Sequence, residues 1–455
     1  MPPSFRRNTK QMWDMARQAR MRVLLVGHAC CPDLGSEPGL TWNWARHLAE
    51  LHDITLLAHP LYRDRVEAAL GTERSAGLEV RWVDLPARVD PWKGRSDERW
   101  IRLHYLLWQR AALREAHRQH AARPFDVTHH VSWGTVNAPP ALWRIDAPFV
   151  WGPVGGGQTA PPGFRRYLGG GLLRESLRTV LHRVAPLSPG LRQAAARSAA
   201  VLATNRETAD LLRAAGCRDV GMFLDNGVLP GQVADLRRTG PDRAAAGKSL
   251  DLLWVGRVEP RKALPLALEV MARVGDLPVT LTIAGDGPQR AECARLADAY
   301  RLDGSVRFLG RVPRPEVDAL FARSDALLFT SLQDAFGSVV LEAMAAGLPV
   351  LCLDHQGVGA MVPSAAAIKV PVVTPGKVID GLAAGIRLLL ASPAVRRRMS
   401  AAAIDFARTE TWPERARRIS HVYSRCLEAR HGHTPDPEDH RPGTLLPEAL
   451  AGRAP

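Results

Sequence analysis

Residues 325–355 carry the side chains best suited to chemistry. Two carboxylates, Asp334 and Glu342, stand eight positions apart, with Gly337 and Ser338 between them. Apolar runs at 326–329 and 349–353 read as buried strands of a parallel sheet, joined by a loop and one helix. Ser338 is placed to cap that helix, and Gly347 with Pro349 marks its end. In open α/β sheets ligands bind beyond the carboxyl ends of the strands, where residues 330–337 fall. Gly337 lets the main chain approach a ligand, and the helix start offers free N–H groups and a positive dipole end, which suits phosphate. A carboxylate repels phosphate, so Asp334 and Glu342 suit sugar hydroxyls instead. The inferred ligand is a nucleotide sugar; an ordinary βαβ unit with surface acids fits the local pattern about as well.

A second cluster leaves a strand and enters a helix. Gly256, Arg257 and Lys262 lie there, and the two cations, five positions apart, are able to converge on a diphosphate. Only six of the 60 basic residues are lysine, so Lys262 stands out, whereas Arg261 reads as part of a solvated basic turn. Asp286 and Gly287 form a tight turn after another strand. Residues 155–160 fit the dinucleotide spacing G-x-G-x-x-A, but Pro161 and Pro162 interrupt the helix such a site needs, so a loop is expected.

The 334–350 stretch resembles the E-x7-E signature of retaining glycosyltransferases of family 4. It matches at Phe336, Gly337, Glu342, Ala343, Gly347, Pro349 and Val350, with Asp334 where the family usually has glutamate. The 256–263 segment is similar to the family's Gly-Arg-Leu-x-x-x-Lys-Gly motif, with Ala263 in place of the last glycine, and 285–288 matches its Gly-Asp-Gly-Pro turn. Asn226-Gly227-Val228 matches the segment that enters the second domain. The resemblance implies a GT-B fold, two Rossmann-like doubly wound α/β domains facing across a cleft. It also implies transfer of a hexosyl group from a nucleotide diphosphate sugar to a hydroxyl of a glycan or lipid-linked acceptor, with retention, in cell-surface polysaccharide synthesis of the exopolysaccharide or lipopolysaccharide type. No metal and no cofactor are implied; the nucleotide sugar is a co-substrate. Arg257, Lys262, Asp334 and His130 carry catalysis in this reading; adjacent strand residues face opposite ways, so His129 and His130 cannot share one cleft, and His130 is preferred as nearer the strand's carboxyl end. Gly35, Gly256, Asp286, Gly287, Phe336, Gly337, Ser338 and Glu342 bind the donor. A nucleotide-sugar epimerase and a non-catalytic donor-binding subunit remain alternatives.

Strand and helix signals alternate through both halves of the chain, and its 455 residues exceed one hydrophobic core. The expected organisation is a basic extension at 1–20, an acceptor-side domain at 21–229, a linker at 230–249, a nucleotide-sugar domain at 250–408, a helix at 409–430 returning to the first domain, and a disordered tail at 431–455. The six cysteines show no metal or disulfide spacing. The formal charge of +14 reflects arginine bias, and nucleic acid is not an expected partner. With no apolar signal core and no apolar run of about 18 residues, a cytoplasmic protein is expected. Residues 164–197 combine seven arginines with apolar residues at near-helical spacing. That pattern fits either a helix lying on an anionic inner-membrane surface or an ordinary solvated face.

Overall fold

A computed structural model describes residues 20–72, 77–92, 100–233 and 249–432. The expected extension (1–20), linker (230–249) and tail (431–455) fall almost wholly outside them. Thirteen strands build two sheets among the described residues. In chain order the first seven are β1 Arg22–Gly27, β2 Asp53–Ala58, β3 Leu78–Trp82, β4 Val127–Ser132, β5 Phe149–Val154, β6 Ala200–Ala203 and β7 Val220–Met222. The remaining six are β8 Leu250–Val255, β9 Val279–Ala284, β10 Val306–Gly310, β11 Ala326–Phe329, β12 Val350–Asp354 and β13 Ala367–Pro371. The first sheet has the order β3-β2-β1-β4-β5-β6-β7 and the second β10-β9-β8-β11-β12-β13. The registered pairs are parallel, and both sheets follow the doubly wound order of Rossmann-like domains. Helices cover both faces, which is why β4, β5 and β11 are buried at every position and carry no polar alternation.

Contacts divide the chain into two compact units. Among the described residues, one comprises those within 20–132, 140–150 and 419–432, the other those within 133–139 and 151–418. In the first unit the end of the helix Trp412–Arg430 is fixed by side-chain bonds to the strands. The Tyr423 hydroxyl lies 2.6 Å from His129 Nδ1, and the Ser420 hydroxyl 2.8 Å from His52 Nε2.

In the second unit the chain crosses itself beside the buried Arg415, which pairs with Glu410 at 2.6 Å and donates to the Leu224 carbonyl. The Asn226-Gly227-Val228 segment lies at that crossing: Val228 bridges to Thr411, and a Cβ at Gly227 would lie 2.9 Å from both Arg415 and Trp412. Among the described residues no single helix is long and apolar enough to cross a membrane.

The ends of β8 and β9 come together main chain to main chain. The Val258 amide donates to the Asp286 carbonyl at 2.9 Å, and the Gly256 amide to the Ala284 carbonyl at 3.0 Å. A Cβ at Gly285 would sit 1.8 Å from the Gly256 carbonyl oxygen, and one at Gly287 would sit 2.3 Å from that of Val258. No side chain fits either place. Gly285→Ala is therefore expected to cost at least about 2 kcal/mol in thermal or urea unfolding, because neighbouring backbone must move. Gly376→Ala, where nothing lies within 4 Å of the added carbon, is the control and should be neutral or slightly stabilising. Equal stability of the two variants would mean that the crossing is looser than described.

Candidate active site

The residues singled out after β8 and β11 are neighbours, because these two strands pair. Strand order reverses between them, the topological switch point at which open α/β sheets bind ligands. Val255 ends β8, a turn carries Arg257, and Pro260–Lys262 forms one short helical turn. Ala263 follows with φ +47°, a left-handed conformation that glycine adopts at less cost.

The loop after β11 is laced to that turn. The Thr330 hydroxyl donates to the Lys262 carbonyl at 3.0 Å, and the Ser331 hydroxyl and Leu332 amide donate to the Arg261 carbonyl at 3.2 and 2.7 Å.

Asp334 lies where the two segments meet. Its Oδ1 takes Arg261 Nη1 at 2.8 Å, and its Oδ2 pairs with Lys262 Nζ. Burial disfavours the charged carboxylate, but Lys262 and Arg261 outweigh it and hold its pKa below the ordinary value. Arg261 also reaches Glu259 at 2.6 Å and the Gln333 carbonyl at 3.1 Å. Arg257 stays outside this cluster, 69 % exposed and 3.8 Å from Glu259. Its exposure leaves it available to an incoming anion.

Gln356 secures the far side of the loop. Its Oε1 accepts from the Asp334 amide at 2.8 Å, and its Nε2 donates to the Leu332 and Thr159 carbonyls at 3.0 and 3.1 Å. Gln333 donates to the Gln158 carbonyl and sits 3.3 Å from both oxygens of Glu175. Glu342, one turn into the helix Ser338–Ala345, is held at 2.8 Å by Arg314 Nη1. Gly337 has φ +93°, and a Cβ there would meet the Phe329 ring at 2.8 Å.

Several expectations need correction. Ser338 does not cap the helix: it is the first helical residue and exposed, and Gly337 occupies the cap position without a side chain to bond. Phe336 is fully buried in the apolar core, so its side chain packs there and only its main chain is left for a ligand. His130 is buried too, with its Nε2 2.9 Å from the Tyr105 hydroxyl. It is enclosed in the first unit's core because β4 is covered on both faces.

Gly35 precedes the helix Ser36–Ala49 at φ −78°, with nothing near an added Cβ, so no close approach requires glycine there. Asp286 Oδ1 accepts from the Gly287 amide at 2.8 Å, which shapes its own turn. Arg261, Arg314 and Gln356 are the site residues that the sequence reading passed over. Residues 155–160 run into the short-turn helix Pro162–Gly171, not the long helix a dinucleotide fingerprint needs.

Two family models match the chain: "Glycosyl transferases group 1" over residues 240–406 and "Glycosyl transferase 4-like domain" over residues 40–227. Residues 240–406 thus carry a group 1 glycosyltransferase domain, and residues 40–227 a glycosyltransferase 4-like one. Among its relatives is glycogen synthase of Mycobacterium tuberculosis, 34% identical over 168 residues, or 36% of this chain and 38% of that protein. The chain therefore spans under half the length of that curated relative. The fold matches sucrose-phosphate synthase from Thermosynechococcus elongatus with a TM-score of 0.62 at 17% identity, covering 90% of this chain and 100% of the other. It also matches the Anabaena protein Alr3699/HepE in complex with UDP and glucose, with a TM-score of 0.56 at 17% identity, covering 89% and 100%. Both likenesses show the fold, a GT-B architecture with two Rossmann-like sheets.

Burial lowers the pKa of His130 to about 3 and, with help from Arg20, that of His52 to about 4. Both rings are neutral in the folded protein near neutral pH, whereas the unfolded chain protonates them below about 6.5. The folded-state pKa values are the lower ones. Stability is therefore full above pH ~6.5 and falls as pH drops toward 4, by up to about 1.4 kcal/mol per pH unit for His130. Urea unfolding of His130→Gln across that window should show a shallower slope than the parent. An identical slope would mean that His130 is charged in the folded state.

Proposed function

We propose that the chain is a retaining, metal-independent glycosyltransferase that moves a hexosyl group from a nucleotide diphosphate sugar to a hydroxyl of a glycan or glycolipid. The observation that carries this reading is the convergence of Lys262, Arg261 and Asp334 at the switch point between β8 and β11, with the exposed Arg257 and the Gly337–Ser338 helix start in the same segments. As the bond from the sugar carbon to the phosphate oxygen breaks, charge grows on the departing diphosphate. Cations and free amides already in place stabilise that charge without reorganising. The acceptor oxygen bonds to the same sugar face, and its proton passes to the leaving phosphate oxygen. Glu342, oriented by Arg314, is assigned the ribose hydroxyls, and Asp334 the donor-sugar hydroxyls.

UDP in the Anabaena protein supports a uridine donor as the first candidate. A role in cell-surface polysaccharide synthesis, carried out in the cytoplasm, is part of the same proposal. The helix Leu172–Val184 exposes Leu177, Val180, Leu181 and Val184, each between 49% and 60%. With Arg183 exposed beside them, these residues suit peripheral attachment to an anionic membrane.

One observation favours a second reading, a non-catalytic donor-binding subunit: both oxygens of Asp334 are already engaged by cations.

A thermal-shift screen across UDP-, GDP- and ADP-sugars tests the main reading. One donor should raise the midpoint, by the equivalent of about 2.7 kcal/mol at a hundredfold excess over its Kd. Lys262→Ala should weaken donor binding at least tenfold and remove transfer. Binding without transfer in both the parent and Asp334→Glu would favour the subunit reading, and no shift with any sugar would sink both. For the membrane, Leu177→Ser combined with Leu181→Ser should lower cosedimentation with phosphatidylglycerol vesicles several-fold while leaving donor binding intact. Unchanged cosedimentation would remove that helix from the account.

A further inference from the structure

The first unit holds three histidines brought together from distant parts of the chain. His28 lies just beyond β1, His59 just beyond β2, and His104 in the helix Ile101–Ala122. One ring nitrogen of each lies within 4.8 Å of the other two, and the three residues are at most 2% exposed. His28 Nε2 and His104 Nε2 are 3.1 Å apart. Asp90 Oδ1 lies 2.7 Å from His104 Nδ1 and also accepts the Trp92 amide at 2.9 Å. A carboxylate there keeps the proton on Nδ1 and turns the Nε2 lone pair toward the other rings.

The surroundings are aromatic. The rings of Trp92, Tyr105 and Trp108 lie 6.5, 5.5 and 4.9 Å from that of His28.

We propose that His28, His59 and His104 form a structural site for a divalent transition metal of the zinc class, with Asp90 as the group that orients His104. Neutral imidazoles suit zinc, copper, nickel or cobalt, whereas calcium and magnesium require oxygen ligands. A carboxylate that accepts the second ring N–H is the usual support of a metal-bound histidine and raises its basicity. Burial at the carboxyl ends of β1 and β2 adds a reason. A metal there would tie the first two strands to the helix Ile101–Ala122 through bonds that ordinary packing lacks.

His59 is the most expensive ligand. Its Nδ1 accepts the Leu61 amide at 3.2 Å and its Nε2 lies 3.3 Å from Asp84 Oδ1, so either nitrogen gives up a contact to bind. The proposal is independent of the donor-site reading, and its test does not use transfer activity.

The full chain, stripped with a chelator and dialysed, is titrated with Co2+ while visible absorption is followed, and its bound zinc is measured by mass spectrometry after expression with added zinc. The expected result is one metal per chain, the intense visible bands of four-coordinate cobalt, and a higher unfolding midpoint when zinc is restored. Asp90→Asn should weaken uptake by about 10- to 100-fold, His104→Gln should abolish it, and the exposed His421→Gln should leave it unchanged. If His104→Gln fails to fold, Asp90→Asn decides the matter. The proposal is overturned if the parent takes up no metal, or if uptake is the same in Asp90→Asn as in the parent.

Discussion

A carboxylate held between two cations is the constraint on which the second unit's site depends. Asp334 is 15% exposed at its side chain, and an unpaired charge so placed would cost several kcal/mol. Lys262 and Arg261 remove that cost only if the turn after β8 and the loop after β11 stay in register. The bonds from Thr330, Ser331 and Leu332 to the carbonyls of residues 261 and 262 keep that register. Gln356 closes the loop from behind by bonding the Asp334 amide itself. The turn, the loop and the segment after β12 are thereby one polar network, and a fully satisfied network is rigid.

Much of this frame was legible in the residues. Strands buried on both faces print as continuous apolar runs, so β11 and β12 stood out, and with them the loops at their carboxyl ends. Gly337 was readable as a place of close approach, and the neighbouring Phe329 ring gives the steric reason. Arg261 was not readable. In a chain with many arginines, residue type does not say which one folds back onto an acid 73 positions away.

The same limit hid Arg314, and it hid Gln356, whose bonds reach back as far as Thr159. Phe336 and His130 misled for another reason. A motif match gives position along the chain, whereas burial on a given face depends on what the opposite layer brings. The layers around β4 and β11 enclose both side chains. Histidines 28, 59 and 104 share no spacing signal at all, since three separate elements deliver them to one place.

Family membership and geometry carry different parts of the account. The two family models each identify one domain, and the fold matches show the architecture. Neither names the side chains that bear charge. Those come from the ion pairs: Asp334 with its two cations, and Glu342 with Arg314. Of the expected catalytic set, Lys262 and Asp334 are in contact, Arg257 is exposed outside their cluster, and the His130 ring is buried.

The glycine crossing at the ends of β8 and β9 has a consequence for how this surface diversifies. At Gly285 and Gly287 main chain abuts main chain, and no side chain can be inserted without moving a strand end. A ligand resting there meets amides and carbonyls, which mutation does not edit. Change in this part of the surface must therefore come through residues that shift the backbone or line the surrounding walls, not through these two positions. The crossing holds its backbone in place while the side chains around it stay open to change.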